Sequence, residues 1–419
     1  MRANPSRSPL RRAGTAADAA APIWRCAGAK SIRRTGLLVP HPLVVPHPLA
    51  ARPRRRFTAG MSAPHPALAR AQDFCARYGL RLPILLAPMA GACPPSLSIA
   101  VAEAGGLGAC GALLMPPAAI LAWAAEVRAG TRGPFQLNLW IPDPPPRRDP
   151  EHEARLRGFL GGFGPAVPPE AGDAAPPDFA AQCEAFLEAA PPIVSSVMGL
   201  YPPAFVARLK HRGIAWWANV STVAEALAAE AAGADAVVVQ GAEAGGHRGC
   251  FEAGSAEAGM VGTMALVPAV ADAVRIPVVA TGGIAEARGA AAALLLGASA
   301  VQIGTGFLRC PEARLSPAWA EGLARARPED TRVARVFSGR AGRSLATAYV
   351  AAATAPDAPA PAPYPVQRAL TRAMREAATR EGDLARMQAW AGQAAGFARA
   401  EPAGRVVAEI WEGMRALLR

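Results

Sequence analysis

Short runs of aliphatic and β-branched residues recur along the chain, separated by longer stretches whose apolar residues return at helical spacing. The runs are Leu82–Pro88, Leu107–Leu113, Phe135–Trp140, Ile193–Gly199, Ile214–Val220, Ala236–Gln240, Pro277–Ala280 and Ala300–Ile303. Bounded by glycine and proline, they read as buried strands, with Ser96–Ala104, Ala118–Arg128, Asp178–Ala189, Pro203–His211 and Thr222–Ala232 among the helices between them. Strands joined through helical crossovers pair in parallel. Eight of them predict an α/β fold of the (β/α)8 TIM-barrel type. The alternative, an open doubly wound sheet, expects a G-x-G-x-x-G turn after the first strand, and none stands there.

The alternation is interrupted twice. After Trp140 comes a proline-rich loop, Ile141–Pro146, a charged helical piece over Asp149–Phe159, and a second Gly/Pro-rich passage to Pro177, a connection long enough to be a lid or disordered. After the eighth strand, Arg325–Tyr349 has mixed polarity and Ala352–Pro365 is an Ala/Pro linker. Val366–Leu418 is helical in pattern, with Trp390, Phe397 and Trp411 available to pack back as a cap over one end of the barrel. The expected organisation is a barrel over 61–350 and a linker with helical cap over 351–419.

Charge changes the picture only at the start. The net charge is +12, but residues 1–60 hold twelve basic residues against one acid, Asp18, so the rest of the chain is nearly neutral. The excess is confined to a tail, which gives no ground for a nucleic-acid partner. That Arg/Ala/Pro-rich tail cannot bury a core and is expected to be disordered; it fits a transit peptide or an over-extended gene start with initiation at Met61. Seven dispersed cysteines without C-x-x-C pairs fit reduced cytosolic thiols better than disulfides or a metal site. No run is long and apolar enough for a membrane span, so a cytoplasmic protein is expected.

Candidate chemistry gathers at three late glycine-rich turns, where the carboxyl end of a strand meets the amino end of the next helix. His247 lies in Gly245-Gly246-His247-Arg248-Gly249, just after the sixth strand. An imidazole at that end of a barrel can hold or take a proton near neutral pH. Gly282-Gly283 after the seventh strand and Gly304-Thr305-Gly306 after the eighth suit a phosphate, because glycine lets unpaired N–H groups approach an anion. Tight turns alone would also use glycine. Asn138, Gln240 and Gln302 are amides at the ends of apolar strands, able to bond either barrel backbone or the rim of a flavin.

APMAG at Ala87–Gly91, LNL at Leu137–Leu139, QGAEAGGHRG at Gln240–Gly249, ATGGI at Ala280–Ile284, QIGTGF at Gln302–Phe307 and FSGRAGR at Phe337–Arg343 together resemble the nitronate monooxygenase family. WAGQAAGFAR at Trp390–Arg399 is similar to that family's cap. The resemblance implies FMN in a TIM barrel, with Met89 lining the flavin, Asn138 and Gln240 bonding its ring edge and Gly245 close by. Gly282, Gly283, Gln302, Ile303, Gly304 and Thr305 would hold the ribityl phosphate, and His247 would be the catalytic histidine. It implies oxidation of a small nitronate of the propionate 3-nitronate type by dioxygen to a carbonyl compound with nitrite or nitrate. The segment Ala341–Thr347 departs from the family's more usual Ala-Arg pair and later asparagine. The nearest rival is an FMN-dependent enoyl-acyl-carrier-protein reductase or NADH:quinone reductase; a cofactor-free phosphosugar isomerase or lyase and a flavin carrier without turnover are the others. Oligomeric state is left open between monomer and dimer.

Overall fold

The structure, a computed structural model, describes residues 65–419. The expectation for residues 1–60 lies outside the described residues. Eleven strands are present among the described residues: β1 (Ile84–Leu86), β2 (Gly108–Gly111), β3 (Phe135–Trp140), β4 (Ile193–Val197), β5 (Ala215–Val220), β6 (Ala236–Gln240), β7 (Gly246–His247), β8 (Val278–Thr281), β9 (Ala300–Ile303), β10 (Thr331–Ala334) and β11 (Gly342–Leu345). Eight of them form one parallel sheet in the order β1-β9-β8-β6-β5-β4-β3-β2. A parallel bridge between Leu85 and Leu107, with the Leu86 N–H on the Leu107 carbonyl at 2.9 Å, closes it into a barrel.

Side chains alternate across each strand, and the inward set changes character from bottom to top. Low in the barrel Leu85, Leu107, Ile193, Trp217, Val238, Val279 and Ala300 form an apolar cluster. The first helix, Pro66–Tyr78, closes that end, with Tyr78 edge-on to Trp217 at a centroid distance of 4.9 Å. Two residues further along the same strands stand Ser195, Asn219, Gln240, Thr281 and Gln302. One period-two pattern thus builds a dry plug at one end and a polar floor at the other.

Helix starts are set by proline. Pro66, Pro95 and Pro117 open the first three helices, so the expected starts at Ser96 and Ala118 fall one residue late. Proline is suited to that position because its fixed φ is helical and the missing N–H would have had no partner.

Two features differ from the sequence expectation. Val366–Leu418 is not helical throughout: Val366–Leu370 and Arg372–Glu381 are followed by irregular chain with a single turn at Ala395–Phe397 before the last helix, Ala403–Leu417. That last helix packs on Ala287–Leu295 and Pro95–Glu103, burying Val406, Val407, Ile410 and Met414. It therefore occupies the place of the barrel's eighth helix, and only the chain before it caps the mouth. Phe397, expected to pack inward, is 50% exposed. The second feature is a small antiparallel sheet, β10-β11-β7, in which His247 pairs with Gly342 and Gly246 with Arg343. Two residues of pairing leave no periodicity to detect. The six cysteines among the described residues are free and buried, and no described helix is long and apolar enough to cross a membrane.

Candidate active site

A cleft of about 410 Å³ opens between the polar floor of the barrel and the cap. Met89, Asn138, Gln240, Gly245, His247, Gly282, Gly283, Gln302, Gly304 and Thr305 all line it. Of the residues expected at the site, Ile303 alone lies elsewhere: its side chain is in the core between barrel and helices, and its carbonyl accepts the Ala87 N–H at 2.9 Å.

The amides divide into two groups. Gln240 splints the loop that carries His247, donating to the His247 carbonyl at 3.0 Å and accepting the Gly249 N–H at 2.7 Å. Asn138 donates to Ser195 Oγ at 3.0 Å, Ser195 to Gln136 at 2.8 Å, and Gln136 to the Gln302 carboxamide oxygen at 3.0 Å. This chain of hydrogen bonds fixes the amides across the floor. Asn219 is a lining residue not expected from the sequence; its buried Nδ2 has no partner among the described residues. The signal that picks out Asn138, an amide in an otherwise apolar strand, is present in IAWWANV as well.

Gly282 and Gly283 have φ of +107° and +71°, the left-handed region where a Cβ is strained. Their N–H groups and that of Gly304 form no backbone hydrogen bond among the described residues, so three unpaired donors belong to glycines that line the cleft at the ends of β8 and β9. Gly245 is needed for a different reason. A Cβ there would lie 2.5 Å from the Gly392 nitrogen, because the cap crosses the loop at backbone contact. Thr305 locks that crossing by accepting the Gly392 N–H at 3.0 Å.

His247 stands between two indoles, with centroids 4.8 Å from Trp140 and 4.9 Å from Trp390. Its Nε2 is 2.8 Å from the hydroxyl of the fully buried Ser338. The cap holds the serine's loop: Gln367 donates to the Val336 carbonyl at 2.8 Å and Thr371 to that of Phe337 at 2.7 Å. Loss of hydration on burial, reinforced by the Arg368 and Arg340 guanidiniums, pushes the imidazole pKa down to about 3. The ring is neutral throughout the physiological range. Arg340, 1% exposed, forms a two-pronged pair with Asp143 of the proline-rich loop and donates to the Cys250 carbonyl at 3.2 Å. The loop is thereby tied down beside Trp140, over which the same guanidinium lies. Trp140 and the cap residues Arg368, Arg375 and Gln388 also line the cleft, and Ser338 and Arg340 stand beside it. Local sequence assigned none of the six a site role, although Ser338 and Arg340 fall within FSGRAGR, because their meeting with His247 depends on elements far apart in the chain.

A sequence profile of the family described as nitronate monooxygenase matches residues 76–413. The chain belongs to that family. It is 39% identical over 349 residues to the nitronate monooxygenase of Pseudomonas aeruginosa, covering 82% of this chain and 99% of that protein. Among solved structures it is similar to the nitroalkane oxidase of Streptomyces ansochromogenes, at 35% identity and a TM-score of 0.75, covering 82% of this chain and all of that one. FabK of Thermotoga maritima is a further structural relative, at 28% identity and a TM-score of 0.61 over 83% of this chain and 96% of that chain. Membership makes this an oxidoreductase family enzyme, and its barrel carries the small-molecule cleft described above.

Proposed function

We propose that the protein binds FMN in this cleft and oxidises alkyl nitronates, of the propionate 3-nitronate type, with dioxygen to carbonyl compounds plus nitrite or nitrate. The reading rests on one observation: His247 faces the same cleft as the three free N–H groups of Gly282, Gly283 and Gly304. Several further features suit a flavin phosphate ester. The glycine turns offer donors to a phosphate without a side chain in the way. The unpartnered Asn219 Nδ2 and the fixed Asn138 and Gln302 amides suit a ring edge rich in acceptors. The cleft volume lies within the roughly 300–1,000 Å³ usual for small-molecule sites. When bound, FMN supplies the redox step between the nitronate and dioxygen.

The chain's own residues prepare the substrate. A base whose conjugate acid titrates near 3 is a weak proton acceptor at neutral pH, so His247 favours a substrate that arrives already deprotonated. An incoming anion reverses the local field set by Arg368 and Arg340, which strengthens a hydrogen bond from the imidazole as the substrate settles. Trp140 and Trp390 flank the imidazole and set its plane, and the Ser338 hydroxyl fixes the ring's rotation.

The test is to purify the full chain, record its visible spectrum and compare oxygen uptake on propionate 3-nitronate with oxidation of NADH. A yellow protein that consumes oxygen with the nitronate supports the reading. Anaerobic bleaching by NADH without nitronate turnover would instead assign it to nicotinamide-driven reduction, and a protein that stays colourless with added FMN would remove the cofactor.

A further inference from the structure

The cap presents two guanidiniums to the cleft, Arg368 and Arg375. Among the described residues neither has a carboxylate within the 4.0 Å of an ion pair. The acid next in sequence to Arg375, Glu376, is engaged by Arg372 at 2.8 Å. Arg375 is held by neutral groups only: it donates to the Gln388 carboxamide oxygen at 3.1 Å, to Thr371 Oγ1 at 3.1 Å and to the Arg368 carbonyl at 2.9 Å. The Arg368 guanidinium makes no hydrogen bond among the described residues. Two buried atoms on the same wall are also donors without partners, Gln388 Nε2 and Trp140 Nε1.

The side-chain groups left without a partner on this wall, the Arg368 guanidinium, Gln388 Nε2 and Trp140 Nε1, are all donors. By contrast Arg340, a few side chains away, has its own counter-ion in Asp143. Both side chains are half-buried, and holding unpaired guanidiniums partly out of water is unfavourable, so the pair suits a ligand that neutralises it. Desolvation lowers the pKa of both, that of Arg375 to about 10, and the Arg368 charge lowers that of Arg375 further. A nitronate group alone brings one negative charge, which leaves the second guanidinium unmatched.

We infer that Arg368 and Arg375 are specificity-determining residues that bind a second anionic group, a carboxylate at the far end of a short aliphatic nitronate. The inference rests on the nitronate reading for the reaction, but the charge balance of the wall is independent of it. Arg368 carries the selectivity, because its donors are free, while Arg375 orients the wall through Gln388. The other anion of the site, the phosphate of FMN, is the competing occupant.

The experiment uses the full chain reconstituted with FMN and two nitronates of similar size, propionate 3-nitronate and propyl-1-nitronate. Arg368→Gln is expected to lower kcat/KM on the carboxylate-bearing substrate by roughly ten- to a hundredfold, mostly through KM, as for loss of a hydrogen-bonded ion pair. The propyl compound loses far less, so the ratio between the two collapses, and Arg368→Lys restores part of it. Equal losses on both substrates would overturn the inference. So would loss of bound FMN in Arg368→Gln with unchanged selectivity, which would give the wall to the cofactor phosphate. If the wild type oxidises neither nitronate, the proposed function falls and binding decides the inference alone. Quenching of the cleft tryptophans by 3-nitropropionate, weakened in Arg368→Gln and not reproduced by 1-nitropropane, then sustains it; absence of that binding overturns it.

Discussion

His247 and Ser338 are 91 residues apart in sequence, and the imidazole Nε2 of one lies 2.8 Å from the hydroxyl of the other. Ser338 has one proton to donate and a second acceptor within reach, the Arg340 carbonyl at 3.2 Å, while the Arg340 N–H donates to it at 3.3 Å. The serine therefore fixes the ring's rotation and, through its choice of acceptor, the tautomer. Replacing His247 with Asn is expected to reduce nitronate turnover by about 10²–10⁴-fold, the usual range for a proton-handling group, while the flavin spectrum persists. Ser338→Ala is expected to cost less, about tenfold, because the indoles still hold the ring. Oxygen-electrode rates and absorbance of the same preparations check both. Undiminished turnover in His247→Asn would take the histidine out of the mechanism.

The acid side of the stability profile should carry the signature of this histidine. Its pKa is about 3 in the fold against 6.5 when unperturbed, so between those values the unfolded chain binds a proton that the folded one does not. Its contribution is therefore fully present above pH 6.5 and is lost as the pH falls from 6.5 towards 3. Thermal melts at half-unit intervals should show the wild type losing Tm more steeply than His247→Asn below pH 6.5. Parallel curves would place the ring in a more hydrated setting than the structure gives it.

The crossing of Gly245 and Gly392 predicts a mutation that separates cap from barrel. Gly245→Ala places a methyl 2.5 Å from the Gly392 nitrogen, a backbone atom, and 2.9 Å from Thr305 Oγ1, which is engaged by the Gly392 N–H. Overpacking of this kind costs about 1–3 kcal/mol. Limited proteolysis should cut first within the irregular chain 382–402, and the cleft should lose affinity for FMN. A variant as resistant as wild type would show that the two backbones can part cheaply.

The proline-rich loop is anchored by one pair. Asp143→Ala leaves Arg340 buried beside Trp140 without its counter-ion, a change that costs about 3–5 kcal/mol for a buried pair and somewhat less here, because Asp143 retains some exposure. Urea unfolding should show the loss, and restoring the charge with Asp143→Glu should recover only part of it, since the longer side chain cannot keep both prongs. Equal midpoints for wild type and Asp143→Ala would mean that the pair is held by solvent as much as by the loop.

The barrel could be read from the chain because its signals are local. Each strand is a short apolar run, most turns have a glycine or proline, and β3 and β6 fall at Phe135–Trp140 and Ala236–Gln240 as the pattern predicts. His247 and the glycines at 282, 283 and 304 could be read for the same reason, since strand ends in a barrel share one face. What the sequence could not decide is which distant groups meet them. Ser338, Trp390, Arg368 and Arg375 come from loops and cap segments whose approach depends on close packing of the whole chain, a property that no window of neighbouring residues contains. The same holds for the last helix: its amphipathic pattern determined that it would pack, and only the gap left between Ala287–Leu295 and Pro95–Glu103 decided where.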